Sequence, residues 1–327
     1  MQTFALFRIM CNFTAEILYL ITLTNHFMKK ILLVFSLIWQ ISFAQKIDVQ
    51  SVVVINNSEA QGCYYPLFSP AGDYLLATSE SYAGLKQYTF ADKSIKTLTK
   101  DEGAGYGVQI SADGNTILYK RNEFIKNLRH SSLVSYSRKT GKQQLLVAPT
   151  RENLTSRFAA NKPQFVRGKT LVAANITRTE SSPVICIEDQ KMVLYTSAGR
   201  KVITPAGTQA SYIWPSISPD GKNIAYTVAG NESFVCNIDG TNPVSIGKLN
   251  APRWINNLWL VGMDDKDDGQ KLISSTILAV TINGKIRQTL PTPAGINALY
   301  PVASTDGTRI AFNTDKGELY LLTITVK

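Results

Sequence analysis

Apolar positions in this chain fall in short runs broken by clusters of Gly, Pro, Asn, Asp and Ser. No segment keeps a sustained 3.6-residue spacing, so the pattern predicts strands and turns throughout. The runs are also copies of one another. "YPLFSPAGDYLLATS" from Tyr65, "YGVQISADGNTILYK" from Tyr106, "YIWPSISPDGKNIAYT" from Tyr212 and "YPVASTDGTRIAFNT" from Tyr300 share one order: an aromatic residue, an apolar strand, an S-x-x-G turn and a second strand. Two weaker copies, "KPQFVRGKTLVAANI" from Lys162 and "APRWINNLWLVGMDD" from Ala251, keep the strands and lose the turn. Aligned on the strand start, Pro66, Val108, Pro163, Pro215, Pro252 and Pro301 share a position.

A second strand pair follows each copy, joined by turns such as Ala198-Gly199-Arg200, Asp239-Gly240 and Asn283-Gly284. Asp-Gly and Asn-Gly are strong hairpin signals. Four-stranded units of about 40–50 residues are propeller blades, which must stack radially because no single blade buries both its faces. The last copy has three strands before the chain ends, and Ile47–Asn57 offers the fourth. The reading is one all-β, six-bladed propeller of four-stranded antiparallel blades over 45–327, closed by the N-terminal strand, which removes the free sheet edge.

Ahead of it, "MKKILLVFSLIWQISFAQKID" from Met28 reads as a signal peptide over 28–44: a Lys29-Lys30 basic start, an apolar core shorter than a membrane span, and Ser42-Phe43-Ala44 before the cut. Residues 1–27 then read as a misplaced upstream start. The protein is expected to be periplasmic or secreted, with no membrane span after cleavage. Of 34 basic and 24 acidic residues, 31 and 23 lie in the mature part, a net charge of +8. Its densest basic cluster, Lys120, Arg121, Lys126, Arg129, Arg138, Lys139 and Lys142, reads as solvated hairpin tips, and export argues against nucleic acid. Cys63, Cys186 and Cys236 are an odd set, read as small buried residues, with a Cys186–Cys236 bridge as the alternative.

The repeats resemble the WD-like propeller repeats of the TolB family, whose pattern is P-x-W/F-S-P-D-G-x-x-I-A-Y/F. Pro215–Tyr226 matches it with Ile217 in place of the aromatic, Pro66–Ala77 matches less closely, and Pro301–Phe312 lacks the second Pro. The resemblance implies the propeller fold. TolB-type proteins carry an α/β domain before the propeller, and the few residues between leader and first repeat have no room for one, so that family's partner binding is not carried over.

Candidate chemistry is sparse. There is no G-x-S-x-G, and the one mature histidine, His130, falls in a hairpin, which disfavours a serine hydrolase. Asp73, Asp113, Asp220 and Asp306 lie at repeat turns, a structural place for carboxylates. "GAGYG" (103–107) opens a strand and not a helix, so it reads as an inter-blade loop. The run Asp264, Asp265, Asp267 and Asp268 is acidic enough for Ca2+, the single cofactor the pattern suggests, but Lys266 and Ser275 break the calcium-loop frame. Strand starts should face the channel mouth, which nominates Tyr64, Tyr65, Tyr106, Lys162, Tyr212, Trp214, Arg253 and Tyr300 as binding residues. The expectation is a monomeric, non-enzymatic propeller that binds a protein or envelope component through its channel face. The alternatives are a glycan or small-ligand funnel, an enzyme among them, and a propeller serving a separately encoded hydrolase.

Overall fold

The computed structural model describes residues 46–55, 62–159, 161–173 and 182–327. The leader and the upstream segment lie outside the described residues. Residues Ile47–Val326 form one compact unit, and the described residues carry strands and no helix.

The N-terminal strand β1 (Ile47–Val54) precedes seven sheets. The first holds β2 (Tyr64–Phe68), β3 (Tyr74–Thr78), β4 (Leu85–Thr89) and β5 (Ile95–Thr99); the second holds β6 (Gln109–Ile110), β7 (Thr116–Ile125), β8 (Leu128–Ser137) and β9 (Gln143–Thr150). The third has β10 (Leu154–Ala159), β11 (Lys162–Arg167) and β12 (Thr170–Ala173); the fourth has β13 (Val184–Glu188), β14 (Lys191–Thr196) and β15 (Gly199–Ile203). The fifth is β16 (Tyr212–Ile217), β17 (Asn223–Val228), β18 (Ser233–Asn237) and β19 (Val244–Gly247); the sixth is β20 (Asn250–Trp254), β21 (Trp259–Asp267), β22 (Leu272–Thr281) and β23 (Arg287–Thr289). The seventh is β24 (Ala298–Ala303), β25 (Arg309–Thr314) and β26 (Leu319–Val326), with β1 as its outer strand.

The propeller therefore has seven blades, not six. The discrepancy lies between Leu154 and Ile203, where two short blades, each three-stranded among the described residues, occupy the length of one full repeat. Neither has an S-x-x-G turn. The β13–β14 hairpin turns through Asp189-Gln190, both in the left-handed region (φ 47° and 64°) without a glycine to signal it. Lys162, read as a first-strand start, begins the second strand of its blade, and Leu154–Ala159 is the first.

Seven apolar clusters, one per blade-to-blade interface, close the ring. In the second strands, neighbouring residues serve opposite interfaces, as a period of two requires. Leu75 packs with Ala311 and Leu319 of blade seven, while Tyr74 and Leu76 pack with Ile117 and Tyr119 of blade two. Leu260 meets Ala225 and Val235 of blade five, while Trp259 and Val261 meet Ile310 and Phe312 of blade seven. Covered on both faces, the second strands read as unbroken apolar runs: Tyr74–Thr78 is buried at every position. Outer strands such as β15 are mostly exposed.

Closure comes from β1, which pairs antiparallel with β26 from Ile47↔Val326 to Val54↔Tyr320. Gln288 of blade six clips this strand: Ile47 N–H donates to its Oε1 (3.0 Å), and its Nε2 donates to the Ile47 carbonyl (2.5 Å).

The four S-x-x-G turns share one bond set. Buried Ser69, Ser111, Ser218 and Ser304 donate to Asp73, Asp113, Asp220 and Asp306 at 2.6, 2.6, 2.6 and 2.5 Å. Each serine Oγ also accepts the N–H that opens the next strand. These bonds stabilise the carboxylate form and hold Asp113 down to about 2, with Asp220 and Asp306 also below the usual range. Cys63, Cys186 and Cys236 are buried and unbridged.

Candidate functional site

Each first strand runs inward from one end of the ring, and neighbouring first strands pack around a common axis. Four of them carry the same irregularity near their start. Pairing slips between Tyr64 and Leu67, Ile213 and Ser216, Asn250 and Arg253, and Leu299 and Val302. The extra residue in each, Tyr65, Trp214, Ala251 or Tyr300, has φ between 50° and 53° and directly precedes a proline. Pre-proline residues avoid helical space and L-residues avoid positive φ, so each bulge costs roughly 1 kcal/mol or more. At the matching place in blade two stands Gly107, at φ 70°, which escapes that cost. The bulges at Tyr65 and Tyr300 bring those two rings together from adjacent blades.

The result is an arc of tyrosines at the channel mouth. Tyr300 of blade seven lies 4.6 Å, centroid to centroid, from Tyr65 of blade one. Tyr65 stacks on Tyr82, from the β3–β4 loop, at 4.2 Å and 17°. Tyr82 meets Tyr106 edge-on at 5.4 Å and 86°, and Lys120 Nζ stands 5.0 Å from the Tyr106 centroid. Tyr64 flanks the arc at 6.3 Å from Tyr65. Tyr106 is 57% exposed, so the arc ends on an open ring face. Desolvation, reinforced by the neighbouring phenols, pushes Tyr65 far above an ordinary phenol; Tyr300 is raised chiefly by desolvation.

Three cations lie on or beside the inner strands. Arg253 follows the β20 bulge, Arg157 lies on first strand β10, and Lys120 lies on β7 just mouthward of Leu118, where the two-residue β6 stops covering it. Arg253 is open to water, yet surrounding protein lowers the affinity of its guanidinium for its proton. A side chain that is both solvent-accessible and enclosed by protein mass is what a lumen produces, and the accessibility decides against reading it as core. Desolvation and, secondarily, Arg129 bring Lys120 down to about 8; desolvation also lowers Arg157. Arg157 donates to the Pro183 carbonyl. None of the three forms an ion pair with a described residue. The carboxylates that influence the arc sit at its rim: Glu80 and Asp315 beside Tyr64, and Asp265 near Tyr300.

Of the residues nominated from sequence, the structure brings Tyr64, Tyr65, Tyr106, Arg253 and Tyr300 to the mouth, and Trp214 occupies the equivalent bulge of blade five. Tyr212 is 1% exposed; it packs in the blade four–five interface, and its hydroxyl donates to the Gly207 carbonyl at 3.0 Å. Lys162 lies at the far end of its blade. Sequence reasoning missed Tyr82, Lys120 and Arg157. The signal for Lys120 is the mismatch of a two-residue first strand against a ten-residue second one.

Elsewhere, the acidic run does not converge. Asp264 is 3.9 Å from Lys248, Asp265 accepts from Asn250 Nδ2 (2.6 Å), Asp267 caps Gly269, and Asp268 caps Gln270 and Lys271. No group of three or more His, Cys, Asp or Glu side chains gathers as a metal site among the described residues. His130 Nδ1 lies 2.9 Å from the Leu128 carbonyl on the β7–β8 hairpin. A recess of about 400 Å³ opens at the opposite end, lined by turn residues including Pro219, Asn257 and Asp306. Asp306 there is engaged by Ser304 and Thr308, and Asn257 accepts from Asp220 N–H.

No family model matches the sequence, and no curated protein is similar to it. Solved structures are similar in fold. TolB from Acinetobacter baumannii superposes with a TM-score of 0.51 at 15% identity over 76% of this chain and 58% of that one. The chain thus spans less than two thirds of that TolB. A protein assigned as TolB in Agrobacterium tumefaciens gives 0.51 at 16% identity over 86% and 99%. The Cps50 (Swd1) β-propeller domain of Myceliophteria thermophila gives 0.55 at 8% over 84% and 100%. The fold is a propeller of the kind seen in TolB and TolB-like proteins. At these identities the likeness extends to fold alone. Among the described residues, no helix is long and apolar enough to cross a membrane.

Proposed function

We propose that this protein is an exported, non-enzymatic binding propeller that holds a segment of a protein partner at its channel mouth. The tyrosine arc carries this reading. Four rings contributed by separate blades and loops meet at 4.2–5.4 Å and end on the exposed face of Tyr106. Tyrosine and arginine gathered at the centre of an open surface are the composition of a protein-binding hot spot. Retention of strained bulges at the same place in four first strands supports a role for the side chains they aim. The leader-like sequence and the TolB-like fold support an envelope location.

The test is affinity capture from envelope extract with the wild-type protein and with Tyr82→Ala/Tyr106→Ala. Both should fold alike, and the variant should lose a protein retained by the wild type. Equal retention by both, or loss of bound glycan in place of protein, would overturn the reading.

A further inference from the structure

We infer that the channel behind the tyrosine arc receives an acidic, extended peptide segment, whose carboxylates are met by Arg253, Arg157 and Lys120. This rests on the proposed function and specifies the chemistry of the partner.

The three cations come from blades six, three and two, Arg253 and Arg157 on inner strands and Lys120 on the stretch of its second strand that β6 leaves uncovered. None has an ion-pair partner among the described residues, and Arg253 makes no hydrogen bond there either. A guanidinium enclosed by protein and left without an anion is unfavourable in the free protein and becomes favourable when a carboxylate arrives. Arg253 is also within electrostatic reach of Tyr82, which stacks on Tyr65 in the arc. The carboxylates that influence the arc are Glu80 and Asp315 by Tyr64, and Asp265, already held by Asn250, near Tyr300. They would repel a chain lying across the rim and leave the lumen positive.

A chain that enters the mouth can meet all three in turn. First strands are the inner edge of each sheet, so an extended backbone can pair with those edge groups not already engaged, as Tyr65 N–H is by Asn313 Oδ1 and the Ser216 carbonyl by Trp254 Nε1. Those edges favour a peptide over an acidic sugar chain.

The test is fluorescence anisotropy with fluorescein-labelled hexaglutamate, hexaglutamine and an oligo-uronate of similar length. Hexaglutamate should bind, and Arg253→Gln should weaken it about tenfold, the effect of one lost charge-assisted bond. Lys222→Gln removes the same charge at the opposite end of the ring and should change binding less than about twofold. Hexaglutamine should not bind, and binding should fall steeply with salt. Equal losses in Arg253→Gln and Lys222→Gln would show diffuse attraction to a basic protein and overturn the inference. Binding of oligo-uronate in preference to hexaglutamate would overturn it in favour of a glycan. If Tyr82→Ala/Tyr106→Ala loses a captured protein while hexaglutamate fails to compete for it, the inference falls and the proposed function stands.

Discussion

Lys120 offers a quantitative check on the lumen. Its ammonium faces the ring of Tyr106, has no anion partner, and is held to about 8 against an ordinary 10.5, chiefly by desolvation and then by Arg129. The fold favours the neutral form more than the unfolded chain does. The penalty for charging is therefore fully present below pH 8, fades as pH rises from 8 to 10.5, and is absent above that. At 1.36 kcal/mol per unit the shift bounds the cost at about 3 kcal/mol, and access to channel water brings it to roughly 1–2 kcal/mol. Lys120→Met removes this cost and also the cation–π contact, worth about 0.5–1 kcal/mol. The variant should be more stable at pH 7 by about 1 kcal/mol, a rise of roughly 2 °C in Tm for a chain of this size. At pH 10.5 the gain should vanish. Thermal unfolding of both proteins at the two pH values decides it. A destabilised variant at pH 7, or a gain that does not change with pH, would refute the placement of Lys120 in a desolvating lumen. A stability cost kept at this position is also what a binding cation would show.

Other expectations follow from named contacts. Removing Ile47–Val54 leaves β26 as an open edge and should cost several kcal/mol, read as a large fall in Tm with aggregation. Ser218→Ala orphans the N–H of Asn223 and releases Asp220, so denaturant melts should show a loss of about 1–3 kcal/mol with partner capture unchanged. Ala251→Gly relieves a left-handed residue before Pro252 and should gain up to about 1 kcal/mol in the same assay. Tyr226→Phe removes a buried hydroxyl without a partner among the described residues and should stabilise by about 1 kcal/mol.

Much of the architecture was legible because its markers are chemical. Ser218-Pro219-Asp220-Gly221 and its relatives announce a turn whose bonds depend on those residue types, so four first strands could be placed from sequence. The seventh blade was hidden for the same reason. Its neighbourhood uses Asp189-Gln190 and a turn at Gly168 where the other blades use serine and aspartate, so two short blades read as one long one. Part of the mouth was legible too, since the bulge prolines mark Tyr65, Trp214, Arg253 and Tyr300. Tyr212 was misjudged because it stands two residues before the bulged Trp214, ahead of the bulge, where the matching Cys63, Leu249 and Ala298 are also buried. Tyr82, Lys120 and Arg157 reach the mouth through loop and register geometry, which leaves no local mark.

The most direct measurement is site-specific photo-crosslinking in the envelope. A photoreactive residue replaces Tyr106 at the mouth or, in a second protein, Lys222 at the opposite end. Binding at the channel mouth gives a protein adduct from position 106 and none from position 222. An adduct from position 222 alone, or no protein adduct from position 106, would contradict it.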